Sequence, residues 1–220
     1  MNNVKLCYDV KIKRNKIIKK SNKNYNNYLN HGTICSSIIS KYNKNVVFSS
    51  IDIINRSTGK CSIDNLILAI KWCYRKKIDI LNISLGTIDI RDIKFLNMFL
   101  NKYIKKNMKI VAAFDNSNVK TSPASHYKIL GVVTDHNLTN SKFIVKRNDE
   151  KGIDFIASGK HYINNLYNTN AIITPPKNSY AAPLITSLVA SLISINPKIS
   201  IKEIKEHYFE IMNKKGDNIK

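Results

Sequence analysis

Residues 62–116 read SIDNLILAIKWCYRKKIDILNISLGTIDIRDIKFLNMFLNKYIKKNMKIVAAFDN, and this stretch decides the fold. From Ser62 to Lys76, Ile63, Leu66, Ile67, Ile70 and the Trp72-Cys73 pair recur at helical spacing. Ser62 and Asn65 are residue types that start helices. Ile78 to Leu85 (IDILNISL) is a short apolar run and reads as a strand. Asp92 to Lys106 reads as a second helix, and Lys109 to Phe114 (KIVAAF) as a second strand. Helices alternating with strands require crossover connections. Such connections are right-handed and build a parallel sheet covered on both faces.

The same alternation continues outward. Toward the N-terminus, Val4 to Tyr8 and Val46 to Ile54 are predicted strands flanking a helix from His31 to Lys41. The Asn/Lys-rich segment 15–30 reads as a solvated loop. Toward the C-terminus come a strand at Lys128 to Val133 and an apolar helix at Ser179 to Asn196. An amphipathic helix at Ser200 to Asn213 follows. The expectation is an α/β fold of three layers, α/β/α, with a mainly parallel central sheet. It forms one domain over residues 1–220, long enough to bury a substantial core.

Composition bears on function class. The net charge is +21, which invites a nucleic-acid or anionic-surface reading. Yet the cations are 31 Lys against 5 Arg, beside 35 Ile and 29 Asn, all residues of A/T-rich codons. Arg, the better bidentate reader of phosphate and guanine, is scarce, and no aromatic-basic recognition motif appears. A specific nucleic-acid partner is therefore not expected, and a basic nucleic-acid-binding protein stands as the lesser alternative. Cys7, Cys35, Cys61 and Cys73 lack C-x-x-C spacing, so no zinc site is indicated. The N-terminus has no apolar signal-like run, and the chain is expected to be cytoplasmic. The apolar stretch Ala181 to Ile195 is shorter than the ~20 residues of a membrane span.

Ligands of parallel sheets sit at the carboxyl ends of the strands. Four polar residues fall at such ends or at helix starts: Asp9, His31, Asn116 and Ser179. Together they are what an acyl-transfer site requires. Ser179 needs a base to become a nucleophile, and His31 has the side chain suited to that near neutrality. Asp9 would fix the imidazole tautomer, and the Asn116 amide would donate to a developing oxyanion.

The order Asp, His, Asn, Ser on this alternating chain resembles the subtilisin-like serine proteases. His31-Gly32-Thr33 is similar to the family's H-G-T at a helix start. Asp79 to Gly86 is similar to its strand ending in S-L-G, and Lys109 to Asn116 to the strand that delivers the oxyanion asparagine. Ser122-Pro123-Ala124 followed by Ile129 to Val132, and Ile153 to Gly159, resemble two further family segments. Asn178-Ser179-Tyr180-Ala181-Ala182-Pro183 resembles G-T-S-x-A-x-P. The likeness runs from about Val4 to Pro197. It implies a serine endopeptidase with Asp9, His31 and Ser179 as triad and Asn116 in the oxyanion hole. Ser84, Leu85, Gly86, Ala112, Ala113 and Phe114 would bind a peptide or protein substrate, with processing of a peptide precursor as one role. No cofactor is required. Structural calcium occurs in the family, but no acidic loop here nominates ligands.

Departures from the pattern keep a second reading open, a subtilisin-like pseudoprotease that binds peptides without cutting them. Asp9 is followed by Val10-Lys11 instead of a D-[ST]-G turn, and only 22 positions separate it from His31. Lys177-Asn178 replace Gly-Thr before the nucleophile, and the lost glycine implies lost backbone freedom. Phe114 in the specificity pocket would favour small P1 side chains, and an inward-pointing Asp115 a basic one.

Overall fold

The computed structural model describes residues 6–13, 16–19, 30–104, 108–117, 119–164 and 171–216. The first strand, β1 (Leu6–Lys13), pairs antiparallel with β2 (Lys16–Lys19) and parallel with β3 (Phe48–Asp52), in the order β2-β1-β3. The expected loop at 15–30 is thus corrected: its start, Lys16–Lys19, is a strand, while 20–29 lie outside the described residues. Residues 4 and 5 of the predicted first strand also lie outside them.

Helix α1 (His31–Tyr42) leads into β3, and α2 (Ile63–Arg75) follows it. Then come β4 (Ile80–Ile83), α3 (Ile90–Tyr103), β5 (Lys109–Ala113) and β6 (Leu130–Thr134). The short strands β7 (Phe143–Val145), β8 (Phe155–Ala157), β9 (Tyr162–Ile163) and β10 (Ile172–Ile173) precede α4 (Asn178–Ile195) and α5 (Ile201–Gly216). The main sheet has the order β4-β5-β6-β8-β7, parallel except for the antiparallel edge strand β7. β9 and β10 pair separately.

Helix starts follow capping chemistry. Asn30 Oδ1 accepts from the Thr33 amide at 2.9 Å, and Ser62 Oγ from the Asn65 amide at 3.3 Å. Asp89 accepts from the Arg91 and Asp92 amides, so α3 begins at Ile90, ahead of the expected Asp92.

The three layers follow from the period of two along buried strands. On β5, Ile110 and Ala112, continued by Phe114, pack into one core with residues of α2 and α3. Val111 and Ala113 face the opposite way, into a second core with residues of α4 and α5. β6 alternates likewise, with Val133 in the first core and Leu130 and Val132 in the second. α4 is apolar enough, by length and composition, to cross a membrane, but half of it is buried, packed on β4, β5, β6, β8 and α1. Between the layers, Lys205 Nζ donates to Asp154 Oδ1 at 2.6 Å, and Asp154 Oδ2 accepts from the Gly131 amide at 2.9 Å. Burial nonetheless holds the Asp154 carboxyl above its usual range.

Candidate active site

The carboxyl ends of β4 and β5 and the N-termini of α1 and α4 converge on one cleft of about 300 Å³. Its wall carries His31, Asn116 and Ser179 together with Ser84, Leu85, Gly86, Ala113 and Phe114. Nearly every expected site residue is therefore on one surface. Ala112 is not: it is fully buried in the core beneath β5. Both faces of β5 are covered, and only its carboxyl end, from Ala113 onward, reaches the cleft. Asp9 lies on β1 with its backbone in register with Ser50 of β3. Its side chain lies outside the described residues.

Ser179 sits in the first turn of α4, and its carbonyl shows why Pro183 follows it. In a regular helix that carbonyl would accept from the amide four residues on. Proline has no N–H to give. Two side chains fill the vacancy: Ser84 Oγ donates to the Ser179 carbonyl at 3.2 Å and the Cys35 thiol at 3.5 Å. Ser84 is itself held by Asn82, whose Nδ2 donates to Ser84 Oγ at 3.4 Å. Thr186 Oγ1 on α4 in turn donates to Asn82 Oδ1 at 2.9 Å. The end of β4 is thus tied to the helix that presents Ser179. Sequence reading gave Ser84 to substrate and missed its side-chain role.

Asn178 ties the same helix to β5 and β6. It is buried, and Nδ2 donates to the carbonyls of Phe114 at 3.2 Å and Asp115 at 2.9 Å. Its Oδ1 accepts from the Thr134 amide at 2.7 Å. Its own amide donates to Asn116 Oδ1 at 3.2 Å, which leaves Asn116 Nδ2 as the available donor on the cleft wall.

His31 is the first residue of α1. Its ring packs against Tyr180 with centroids 4.9 Å apart, and Nε2 lies 3.5 Å from Cys35 Sγ. Burial, and secondarily the ammonium of Lys177, hold its pKa below the ordinary 6.5. Cys35 stays a neutral thiol because burial pushes its pKa up to about 11. Cys35 and Tyr180 were not singled out from the sequence. The signal for Cys35 was its position four residues after His31, on the same helix face.

The departures before Asn116 and before Ser179 are explicable one by one, whereas that at Asp9 falls on a side chain outside the described residues. Lys177, in place of glycine, has φ −120° and ψ 150°, ordinary extended backbone, so no glycine is required by conformation. Glycine is required instead at Gly159, where an added Cβ would lie 2.7 Å from the Lys177 carbonyl oxygen and 2.8 Å from its nitrogen. Phe114 does not fill the cleft: its side chain packs in the core, with Cε2 2.7 Å from where a Cβ on Gly131 would stand. Asp115 is exposed, but its carboxylate is turned to Ser117, accepting from the amide at 2.8 Å and from the hydroxyl. Leu85 and Gly86 continue past the end of β4. There Thr87 exchanges backbone hydrogen bonds with Ser122, of 2.8 and 3.0 Å.

The chain matches the subtilase family model over residues 3–219. It is similar in structure to a cold-adapted subtilisin-like serine proteinase, with a TM-score of 0.62 and 19% identity over 80% of this chain. It spans 65% of that protein's length. Sphericase superposes with a TM-score of 0.68 at 17% identity, over 94% of this chain and 76% of its own. These likenesses show the fold. No curated protein sequence matches the chain significantly.

Proposed function

The chain belongs to the subtilase family, and on that premise we propose that it is a serine endopeptidase acting on peptide or protein substrates. Ser179 attacks the scissile carbonyl. His31 takes the hydroxyl proton and returns it to the leaving amine. Asp9 orients His31. Asn116 Nδ2, with a backbone N–H at the start of α4, holds the oxyanion. Ser84-Leu85-Gly86 receives the substrate as an added strand. The chemistry needs no metal.

The observation that carries this reading is the single cleft shared by His31, Asn116 and Ser179 at the carboxyl end of the parallel sheet. The depressed pKa of His31 supports it, since a base must be neutral to accept a proton. Within this reading, processing of a peptide precursor is the proposed role and the cytoplasm the proposed site of action. Incubation with candidate precursor peptides tests the processing role, and indiscriminate protein degradation would argue against it.

A second reading, a peptide-binding pseudoprotease, is favoured by one contact: His31 Nε2 meets Cys35 Sγ. Fluorophosphonate labelling separates the two. Labelling that disappears in Ser179→Ala supports the enzyme. No labelling of the well-folded protein supports the binder.

A further inference from the structure

We propose that Lys177 is a specificity-determining residue that selects substrates with an acidic side chain next to the scissile bond. The proposal rests on the protease reading above and narrows it to a substrate class.

Lys177 is the N-cap of α4, two residues before Ser179, and lines the cleft. It is exposed, and its side chain makes no capping hydrogen bond. Among the described residues its ammonium has no ion-pair partner. Asp115 is the other charged residue on the wall. Its Oδ1 accepts from the amide and hydroxyl of Ser117, and among the described residues no ion pair joins it to Lys177. Among the described residues the Lys177 ammonium is the charge that acts on His31, and Asp115 is an anion elsewhere on the same wall. A substrate carboxylate placed beside that ammonium gains a partner. A substrate ammonium placed there meets a like charge. Tyr180 and His31 bound the same space, and neither offers an anion to a basic side chain.

The ammonium also acts on the base. It lies close enough to help depress the His31 pKa, after burial. A substrate carboxylate that pairs with Lys177 cancels this repulsion. The bound enzyme should then titrate at a higher pH with an acidic substrate than with a neutral one. A general cationic field from the +21 net charge would behave differently. It would favour carboxylates at every substrate position and would leave the His31 titration nearly alike for both substrates.

The test is a matched peptide panel with Glu, Gln or Lys at each position flanking the cleaved bond, run on wild type, Lys177→Gln and Lys177→Glu. For an exposed pair, Glu should exceed Gln in kcat/KM by about two- to fivefold at one position only. Lys177→Gln should level that position, and Lys177→Glu should invert it toward Lys. The acid limb of kcat should lie higher for the Glu peptide than for the Gln peptide, and the two should coincide in Lys177→Gln. Equal rates for Glu and Gln, or a preference unchanged in Lys177→Gln, would overturn the proposal. So would a preference spread over all positions. Binding of the same peptides to Ser179→Ala, followed by calorimetry, reads the charge preference without turnover. Absent fluorophosphonate labelling with intact Lys177-dependent binding would sink the protease reading alone. Labelling without charge preference would sink only the Lys177 assignment.

Discussion

The carbonyl of Ser179 offers the sharpest test of how the proposed nucleophile is held. Pro183 denies it a helical donor, and Ser84 Oγ at 3.2 Å is the stronger of its two substitutes, since a thiol is a weak donor. Ser84→Ala removes that donor. A buried acceptor left unpaired costs about 1–3 kcal/mol, and the remaining Cys35 thiol places this case near the lower end, about 1 kcal/mol. Pro183→Ala would restore an N–H four residues after Ser179. In that background the carbonyl no longer depends on Ser84, so Ser84→Ala should cost measurably less. The two changes should therefore be non-additive, with a coupling of about 0.5–1.5 kcal/mol. Urea unfolding of the four proteins in the cycle measures this, read beside the rate of fluorophosphonate labelling. Ser84→Ala is expected to slow labelling, and Pro183→Ala to recover part of the loss. Additivity within about 0.3–0.5 kcal/mol would refute the reasoning, because it would mean the two groups do not serve one carbonyl.

Asn116→Ala should lower kcat by roughly 10²–10³ with little change in KM, measured on any cleaved peptide. Asn178→Asp keeps the acceptor for the Thr134 amide but turns an anion toward the carbonyls of Phe114 and Asp115. A favourable helix dipole offsets only about 0.3–1 kcal/mol of this. The introduced acid should have a raised native pKa, so its deficit in urea unfolding should grow as pH rises from about 4 through that value. The acid limb of kcat/KM should lie below pH 6.5, since the His31 pKa is lowered. Lys177→Gln should move it upward only in part, because burial is the larger cause. His161 is fully buried between Tyr42 and the Tyr180 carbonyl, and burial lowers its pKa to about 4. The unfolded chain then binds a proton that the folded one does not. Stability should fall as pH drops from 6.5 toward 4, by a few kcal/mol at most, in a pH series of urea titrations. His161→Asn should flatten the slope.

The layered core was legible because β5 and β6 are short apolar runs between amphipathic helices, and no other packing buries such runs on both faces. Ser62 announced its helix through capping chemistry that needs only local sequence. The strand Lys16–Lys19 was hidden by its flanking lysines: KIIK has too few apolar residues to stand apart from the Lys/Asn-rich stretch around it. β7 to β10 run two or three residues each, too short to carry a period, and only their neighbours make them strands. Ala112 was assigned to the cleft although an apolar run buried on both faces exposes only its carboxyl end. That signal was present in the sequence. The ties through Ser84, Cys35 and Asn178 were not, because they join positions 95, 144 and 44 residues apart or more.

Those ties also change how the departures around Ser179 should be weighed. A glycine lost before Ser179 looks like decay if glycine was needed for its backbone freedom. Lys177 is extended, so nothing conformational is lost there. The residue after it is a gain: the Asn178 side chain joins three backbone groups from two strands to the first turn of α4, more than a single hydroxyl could reach. Its amide meanwhile fixes which end of the Asn116 side chain is left to donate. A cleft eroded by drift would be expected to lose partners at buried polar groups, each loss being costly. Here the substituted position gathers them, and it does so where the first turn of α4 meets the end of β5. Lys177-Asn178 is therefore better read as an alternative construction of the site than as its dismantling. The case for a non-cutting protein then rests on the turn lost after Asp9 and on the His31–Cys35 contact, and a rotation of the imidazole about its side-chain bonds would undo the second.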